Sequence, residues 1–253
     1  MITVELLAIT PNAAEVIERA GRTSYQSFSK MTKEPIYSID FKGVIKQLYA
    51  ENYSLSPMLK VGDNVEIENI GRGKIISKWR NSSEKFVEMI VKNGHLSVLE
   101  HASATFLVKG GSRAFTHQLV RHRLAAFTQQ SQRYVDEGNF NFVLPKSIEE
   151  NAEAKALFIS TINTLKDVYG KLRQMNIRKE DARFLLPNAI ESEIVVSSNF
   201  REWRHILKIR GEKAAQWEIR DFAVSVLKIF KEQVPEIFYD MDIDKEKNVI
   251  LFS

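Results

Sequence analysis

The densest cluster of chemically versatile side chains lies in residues 113–134, where arginine, histidine, glutamine and serine alternate with short apolar runs. Arg113, His117 and Arg121 recur at intervals of four residues, so a helix would place them on one face. These residues could bind a ligand or could simply form a basic helix face in contact with solvent. The solvent-facing interpretation explains less well why arginines and amides adjoin the uncharged run LAAF.

Arg121, Arg123 and Arg133 bring three guanidiniums into this stretch, together with several glutamines and Ser131. Arginine offers forked donors to phosphate, whereas glutamine amides can bind the edge of a base. The hydroxyl of Ser131 adds a donor for a phosphate or a base carbonyl. This combination favours a planar, phosphorylated ligand.

Two further polar clusters accompany the first. His95, Ser97, Glu100 and His101 form one of them, and a simple capped turn is its more economical interpretation. The other lies in residues 197–220, for which an amphipathic helix pair with ordinary surface charge is the alternative.

Within that third cluster, Arg204 and Lys208 are predicted to be surface charges. Arg183, by contrast, is a cation whose sequence neighbours, Ala182 and Phe184, are apolar. We expect it to pair with an anion, for which an internal aspartate or glutamate is the plainer candidate.

The composition excludes several classes of site. The 253 residues include no cysteine, which excludes disulfides, thiolate metal sites and a cysteine nucleophile. The five histidines form no HxxxH or HxH pair, so we expect no protein-bound transition metal. No apolar run reaches the length of a membrane span, and residues 1–10 lack a basic leader. We therefore expect a cytoplasmic protein without a membrane partner.

Periodicity and turn residues predict a single α+β domain over residues 1–253, with an antiparallel sheet flanked by long helices. A strand is expected at 2–9, followed by a helix that Thr10 caps. Residues from about 30 to 78 are predicted to be an elaboration, with a helical apolar pattern at 41–52 and then short β-like runs. The remaining predictions are helices at 82–94, 112–123, 147–175, 179–186, 199–209 and 214–232, and strands at 101–108, 140–144 and 193–197.

The string RHRLAAFTQQSQRYV resembles the signature of flavin-dependent thymidylate synthases, in which RHR is followed by seven residues and a serine. Here that spacing runs from Arg121 to Ser131. Further strings resemble family blocks in the expected order: GHLSVLEH, GGSRAFTHQLVRHR, DARFLLP, SNFREWRHILKIR and AQWEIR. The resemblance extends over about 82–231, with a further match at 20–24.

The resemblance implies an enzyme that methylates dUMP to dTMP. It implies FAD as the cofactor, NADPH as the source of hydride, methylenetetrahydrofolate as the carbon donor, and a homotetramer whose active sites combine several subunits. The missing cysteine agrees with this family, which needs no enzymic nucleophile. The cofactor then carries the redox chemistry, while the protein orients and polarises the reactants.

The resemblance also assigns site residues. It makes Arg210 the catalytic residue, lying against the pyrimidine carbonyls, where it can stabilise developing charge. The implied dUMP contacts are Gln118, Arg121, Gln129, Ser131, Gln132, Arg133, Arg183 and Arg210. The implied FAD contacts are Ser24, Ser97, Glu100, Arg121, His122, Arg123, Asn199, Arg201 and His205. The implied folate or flavin-ring region contains His95 and Arg201.

The chain departs from the family pattern at several positions. Ala126 stands where the family usually has serine, so one hydroxyl near the flavin or a subunit interface is lost. Thr128 and Gln129 stand where asparagine and glutamate are frequent. The elaboration at 30–78 is longer than expected and could reshape the tetramer or cover the active site.

Two other functions are consistent with parts of the sequence. A protein that binds FAD or dUMP without catalysis is suggested by Ala126, but Ser131, Arg133, Arg183 and Arg210 argue against it. A nucleic-acid-binding module would use the RHR segment as a basic reader. That alternative requires a contiguous basic stripe, whereas the net charge of +4 is small and the cations are interleaved with apolar residues.

Overall fold

The computed structural model describes residues 2–252 and divides into two compact units. The first unit contains the chain up to Ile9, the segment Ala104–Ile229 and the chain from Met241 onward. The second contains Thr10–Ser103 and Phe230–Asp240. The predicted division into one domain with an elaboration stays a prediction.

The described chain contains both strands and helices. The strands are β1 (Thr3–Ile9), β2 (Ile36–Phe41), β3 (Val44–Tyr49), β4 (Asn64–Ile67), β5 (Gly71–Trp79), β6 (Ser103–Ser112), β7 (Ala126–Gln129), β8 (Glu191–Asn199), β9 (Met241–Asp244) and β10 (Val249–Phe252). The α-helices are α1 (Ala13–Thr23), α2 (Ser82–Lys92), α3 (Arg113–Leu119), α4 (Lys146–Glu149), α5 (Ala152–Gln174), α6 (Lys179–Ala182), α7 (Phe200–Arg210) and α8 (Trp217–Gln233). Short 3₁₀ helices lie at Phe28–Lys30, Ala50–Asn52, Leu96–His101, Arg183–Leu185 and Pro235–Ile237.

The first unit is organised around a four-stranded sheet in the order β1-β6-β8-β7. β1 pairs antiparallel with β6, and β7 pairs antiparallel with β8. Buried and more accessible residues alternate along β8, as one covered face requires. Trp203 of α7 is fully buried, meets Phe106 of β6 edge-on at 5.1 Å, and donates its indole N–H to the Ala104 carbonyl at 3.1 Å. These contacts attach α7 to the sheet.

A buried carboxylate positions the start of α3. Glu218 of α8 accepts hydrogen bonds from the Ser112 backbone N–H at 2.7 Å and the Ser112 hydroxyl at 2.6 Å. The same hydroxyl oxygen accepts from the Phe115 N–H at 3.0 Å and so caps α3. Both Ser112 and Glu218 are buried, so water cannot replace these bonds.

The second unit contains a four-stranded antiparallel sheet in the order β3-β2-β5-β4, whose strand β5 contacts α2. Its core includes Tyr37, Ile39, Leu48 and Ile75, all nearly or fully inaccessible. Most of the predicted elaboration at 30–78 therefore folds as a β-sheet with its own apolar core.

The helix predicted at 41–52 is wrong. Lys42 and Gly43 adopt positive φ angles of 54° and 87°, and they turn the chain into the hairpin between β2 and β3. A lysine–glycine turn with this conformation matches the twist of a β-hairpin. The apolar residues of this segment fit both a helical and a β pattern, and the partner strand decided between them.

Several other expectations were confirmed or corrected. The predictions of β1, α2, β6, α7 and α8 are confirmed within a few residues. The strand at 140–144 is wrong, since only a single bridge joins Phe142 to Ile190 there. The helix at 147–175 is interrupted between α4 and α5, and Asn151 caps α5 through its side chain. Thr10 does not cap α1, because its hydroxyl pairs with the backbone of Ser103.

The mixture of helices and antiparallel strand pairs confirms the α+β class. The strands of residues 2–252 form three sheets rather than the single sheet that we expected, and β9 and β10 make an unpredicted hairpin. Two long helices are present, α5 with 23 residues and α8 with 17. Within the described range, no helix combines the length and apolar character needed to cross a bilayer.

The first prediction concerns Glu218. Replacing it with alanine leaves the buried N–H of Ser112 without its acceptor, so we expect Glu218→Ala to lower the free energy of unfolding by roughly 2 to 4 kcal/mol. Chemical denaturation measures this. The exposed Glu212 provides the control, and Glu212→Ala should change stability by less than about 0.5 kcal/mol. Equal stability of the two variants would contradict the structural role of Glu218.

Candidate functional site

The RHR string lies just beyond α3 rather than inside it. The helix ends at Leu119, so Arg121 lies outside the helix that was predicted over 112–123. The backbone N–H of His122 donates to the Leu119 carbonyl at 3.2 Å, which continues the chain as a turn. This turn buries His122 and leaves Arg121 and Arg123 exposed. The predicted four-residue face of the helix therefore does not extend to Arg121.

A buried network joins this turn to α7. The Nε of Arg210 donates to Nε2 of His122 at 2.9 Å, and its Nη2 donates to the backbone carbonyl of Gln118 at 3.2 Å. On the other side of the imidazole, Nδ1 lies 3.4 Å from Oε1 of Glu202. Because a guanidinium can only donate, Nε2 must be the unprotonated nitrogen, and the ring proton is on Nδ1 facing the carboxylate.

The environment keeps His122 neutral. Burial, followed by the charges of Arg210 and His205, lowers the pKa of His122 from its ordinary 6.5 to about 4. Burial raises the pKa of the Glu202 carboxyl, although the nearby charges of His205 and Arg201 act to lower it. Burial also lowers the pKa of Arg210. The neutral imidazole is therefore a stable acceptor for the guanidinium at physiological pH.

His122, Glu202 and His205 bring three possible metal-ligand atoms within 4.8 Å of one another. The sequence did not predict this group, because His122 lies 80 positions before Glu202 along the chain. The guanidinium of Arg210 is hydrogen-bonded to the same imidazole, and its positive charge opposes a second cation there. We therefore interpret the group as the support of His122 and not as a metal centre.

Local signals in α7 position this network. The side chain of Asn199 caps the helix by accepting from the Glu202 N–H at 2.9 Å. Arg210 is the last residue of the helix, and Gly211 follows it. A Cβ on Gly211 would lie only 2.5 Å from Cδ1 of Ile250, so glycine is needed for the close approach of β10.

The predicted dUMP contact Gln129 has side-chain partners within the chain. Gln129 donates through Nε2 to the hydroxyls of Thr116 at 2.9 Å and Ser192 at 3.0 Å. These bonds join β7 to α3 and β8. Gln132 is half-buried.

The structure brings two predicted phosphate-binding arginines close to one residue. Arg133 reaches the carboxylate of Glu180, with its Nε at 3.3 Å and its Nη2 at 3.2 Å. The Nε of Arg183 donates to the backbone carbonyl of the same Glu180 at 3.1 Å. Arg183 thus pairs with a carbonyl oxygen instead of the internal carboxylate that its sequence suggested. Ser131 lies beside them and accepts through Oγ from the Arg133 N–H at 3.3 Å.

The second unit contains a separate candidate site. A cavity of about 550 Å³ is lined by Ser24, His95 and Ser97, which the sequence assigned to FAD or folate. Arg22 and the ring of Phe86 line it as well. Serine hydroxyls, a guanidinium and an aromatic wall form a donor set that suits a planar anionic ligand. Below, we call this space the serine cavity.

Arg22 is held rigidly at the edge of the serine cavity. Its Nη2 lies 2.6 Å from Oε1 of the buried Glu18, and its guanidinium faces the ring of Phe86 at 5.0 Å. Oε2 of Glu18 accepts in turn from the Ser82 hydroxyl at 2.7 Å. At Gly21, a Cβ would come within 2.4 Å of Phe86, so this glycine allows α1 and α2 to pack closely.

The remaining predicted FAD residues are accessible. Glu100 is exposed at the 3₁₀ helix Leu96–His101, and Arg201 is exposed in the first turn of α7. His205 lies on α7 with its ring 5.8 Å from that of His122. These residues are distributed over both units.

Two residues of these sites, Glu202 and Arg22, were not predicted from the sequence. Glu202 follows the capping Asn199 by three residues, and this spacing could have indicated a polar residue at the start of α7. Arg22 follows Glu18 by four residues, which is the spacing of a helical ion pair. The prediction of Arg204 as a surface charge was wrong, because its side chain is buried.

Comparison with known proteins places these features in a family context. Residues 5–236 match the family model described as thymidylate synthase complementing protein. A flavin-dependent thymidylate synthase of Nitratidesulfovibrio vulgaris is 43% identical over 167 residues, which cover 63% of this chain and 68% of the relative. That of Geobacter sulfurreducens is 46% identical over 157 residues, covering 61% and 68%.

A solved structure has a similar fold. The structure of thymidylate synthase X from Helicobacter pylori, determined with FAD and dUMP, aligns with a TM-score of 0.63. It covers 95% of this chain and 98% of its own, at 19% sequence identity. At this identity the comparison supports the fold.

The second prediction concerns the titration of His122. We expect NMR of its ring nitrogens to show a neutral imidazole, protonated on Nδ1, down to a pKa of about 4. Between pH 6.5 and about 4 the unfolded chain binds a proton at His122 that the folded chain does not. The free energy of unfolding is therefore undiminished by this group above pH 6.5 and falls as the pH is lowered towards 4. In Arg210→Met the pKa should rise but stay below 6.5, because burial is the larger cause. A pKa of His122 near 6.5 in the wild-type protein would contradict a buried imidazole beside Arg210.

Proposed function

The chain belongs to the thymidylate synthase complementing protein family, the flavin-dependent thymidylate synthases, and we propose that it converts dUMP to dTMP by reductive methylation. Methylenetetrahydrofolate is the proposed carbon donor, and NADPH the proposed reductant. When bound, FAD supplies the hydride for this reaction. The observation that carries the proposal is the buried network in which Glu202 and His122 orient Arg210.

In this proposal, Arg210 polarises the pyrimidine. A guanidinium has five N–H donors, so its bonds to His122 and to the Gln118 carbonyl do not exhaust it. Its position is maintained by a neutral acceptor that does not cancel its charge. A fixed positive charge of this kind stabilises negative charge that develops on a carbonyl oxygen of the base. Such activation is consistent with a chain that contains no cysteine.

The phosphate of dUMP is assigned to Ser131, Arg133 and Arg183. In support, both arginines contact Glu180, which gathers their guanidiniums in one region. Forked guanidinium donors bind phosphate oxygens well. Gln129 then orders the neighbouring backbone through Thr116. The other proposed nucleotide contacts are Gln118, Arg121 and Gln132.

FAD is proposed to bind the serine cavity. The donor set of the cavity supports this, because its hydroxyls and the fixed Arg22 suit phosphate groups, and Phe86 offers an apolar face. The proposed contacts are Ser24, Ser97, Glu100, Arg121, His122, Arg123, Asn199, Arg201 and His205. His95 and Arg201 are proposed to lie near the folate or the flavin ring.

We propose a homotetramer with active sites that combine several subunits. In support, the side chains of Leu124 and Phe184 are 76% and 83% exposed, although both are large and apolar. They lie beside the RHR string and beside Arg183, where an interface would cover them. A cytoplasmic location stays a prediction from the sequence.

The two alternatives are disfavoured by specific features. A nucleic-acid reader would use a contiguous basic stripe, whereas the histidine between the two exposed arginines of RHR is buried and its pKa is lowered to about 4. A protein that only binds nucleotides has no need for the Glu202–His122–Arg210 network.

The experiment that tests the function begins with an absorbance spectrum of the purified protein after FAD is supplied. It continues with NADPH oxidation with and without dUMP, and with dTMP analysis once methylenetetrahydrofolate is added. We expect a flavin spectrum, oxidation stimulated by dUMP, and dTMP. Flavin without dTMP would favour the protein that only binds nucleotides, and absence of flavin would exclude the proposed cofactor.

The third prediction tests Arg210. We expect Arg210→Ala to retain its fold and its flavin spectrum but to form dTMP at least about a hundredfold more slowly, because one fixed donor to developing charge is lost. Lys208→Ala, at an exposed position of the same helix, is the matched control and should retain turnover. Unchanged turnover in Arg210→Ala would remove the assigned role.

A further inference from the structure

A second cavity of about 370 Å³ lies in the same unit as the serine cavity. Four cations line it, namely Arg22, Lys30, Lys85 and Lys92, together with a single carboxylate, Glu88. Below, we call it the lysine cleft. Its lining also includes the apolar side chains of Ile36, Phe86 and Met89, so it combines an excess of cations with apolar surface.

The inserted sheet builds one wall of the lysine cleft. Ile36 of β2 and Gln47 and Tyr49 of β3 line this wall, opposite residues of α2. The elaboration that departs from the expected family pattern therefore contributes directly to a cavity. Neither the family resemblance nor the comparisons assign a ligand to it.

The charge of the lysine cleft favours an anion. Arg22 is compensated by Glu18 at 2.6 Å, and Lys85 lies 3.3 Å from Glu88. The charges of Lys30 and Lys92 remain as the surplus of the lining. A surplus of cations in a partly enclosed space attracts anions more strongly than the same charges would on an open surface.

The cleft is continuous with the proposed cofactor region. It shares Arg22, Lys30, Phe86 and Met89 with the serine cavity, which also contains His95. A ligand whose ring lies near His95 could therefore extend an anionic tail along α2 into the lysine cleft.

The spacing of the lysines distinguishes between anions. Lys85 and Lys92 are seven residues apart on α2, so their attachment points are separated by about 10 Å along the helix axis. A single compact phosphate would suit clustered forked donors better than such separated ammonium groups. Separated ammonium groups instead match a chain of carboxylates.

We propose that the lysine cleft binds the γ-linked glutamyl carboxylates of the folate co-substrate, and that the inserted sheet thereby makes this protein selective for folates with long glutamyl tails. This inference rests on the proposed function, which supplies the folate. The apolar side chains of the lining accommodate the methylene groups of the tail, while Lys30, Lys85 and Lys92 bind successive carboxylates.

The kinetic test compares methylenetetrahydrofolate with one glutamyl residue and with five. In the wild-type enzyme we expect a KM roughly fivefold to thirtyfold lower for the pentaglutamyl form, because two or more partly exposed ion pairs form. The double substitution Lys85→Gln and Lys92→Gln should bring the ratio of the two KM values close to one. The double substitution Lys46→Gln and Lys74→Gln is the control, since it removes two exposed charges of the same unit outside the cleft and should preserve the ratio.

A binding measurement makes the test independent of turnover. Titration calorimetry with unreduced pteroylpentaglutamate and pteroylmonoglutamate should show tighter binding of the pentaglutamyl form, with an advantage that declines as salt is raised. Equal affinities in the wild-type protein would overturn the proposal. A KM for NADPH that rises in the double cleft variant, while the folate ratio persists, would assign the cleft to a dinucleotide phosphate and would also overturn it. Absence of dTMP with either folate would refute the proposed function alone, because the calorimetric comparison still tests the tail site.

Discussion

The imidazole of His122 lies buried between the carboxylate of Glu202 and the guanidinium of Arg210. Both nitrogens of an imidazolium carry protons, so a charged His122 could not accept the hydrogen bond from Arg210 and would repel its positive charge. The contact therefore requires the neutral ring. Burial and the neighbouring charges keep the ring neutral by lowering its pKa to about 4. Arg210 is thus held by an acceptor that leaves its positive charge available for a ligand.

The rest of the first unit maintains the two segments that meet at this ring. One segment is the turn after α3, a helix that Ser112 caps and whose cap is held by the buried Glu218. The other is α7, which Asn199 caps and which the buried Trp203 attaches to the sheet. Buried polar groups with all partners in place are rigid, because every alternative arrangement would leave a donor or an acceptor unsatisfied. The network therefore receives its precision from the fold around it.

The second unit combines a fixed cation with an inserted sheet. Arg22 is immobilised by Glu18 and Phe86, and it lines both the serine cavity and the lysine cleft. The four-stranded sheet has a core of its own, and α1 packs against α2. An insertion of this kind can change which ligands a unit accepts while the existing cavity is preserved, because function depends on sites carried by a fold.

The sequence alone determined the α+β class, most helices, the RHR-to-serine spacing and the candidate residues, because helical periodicity, capping and motif spacing are local properties. It did not determine the hairpin after Phe41, because the apolar pattern of β3 also fits a helix until β2 supplies a partner strand. It did not reveal the Glu202–His122–Arg210 network either, since His122 and Arg210 are 88 positions apart. Only the tertiary structure decided those contacts, because burial and the low pKa of the imidazole arise from chain segments that meet only on folding.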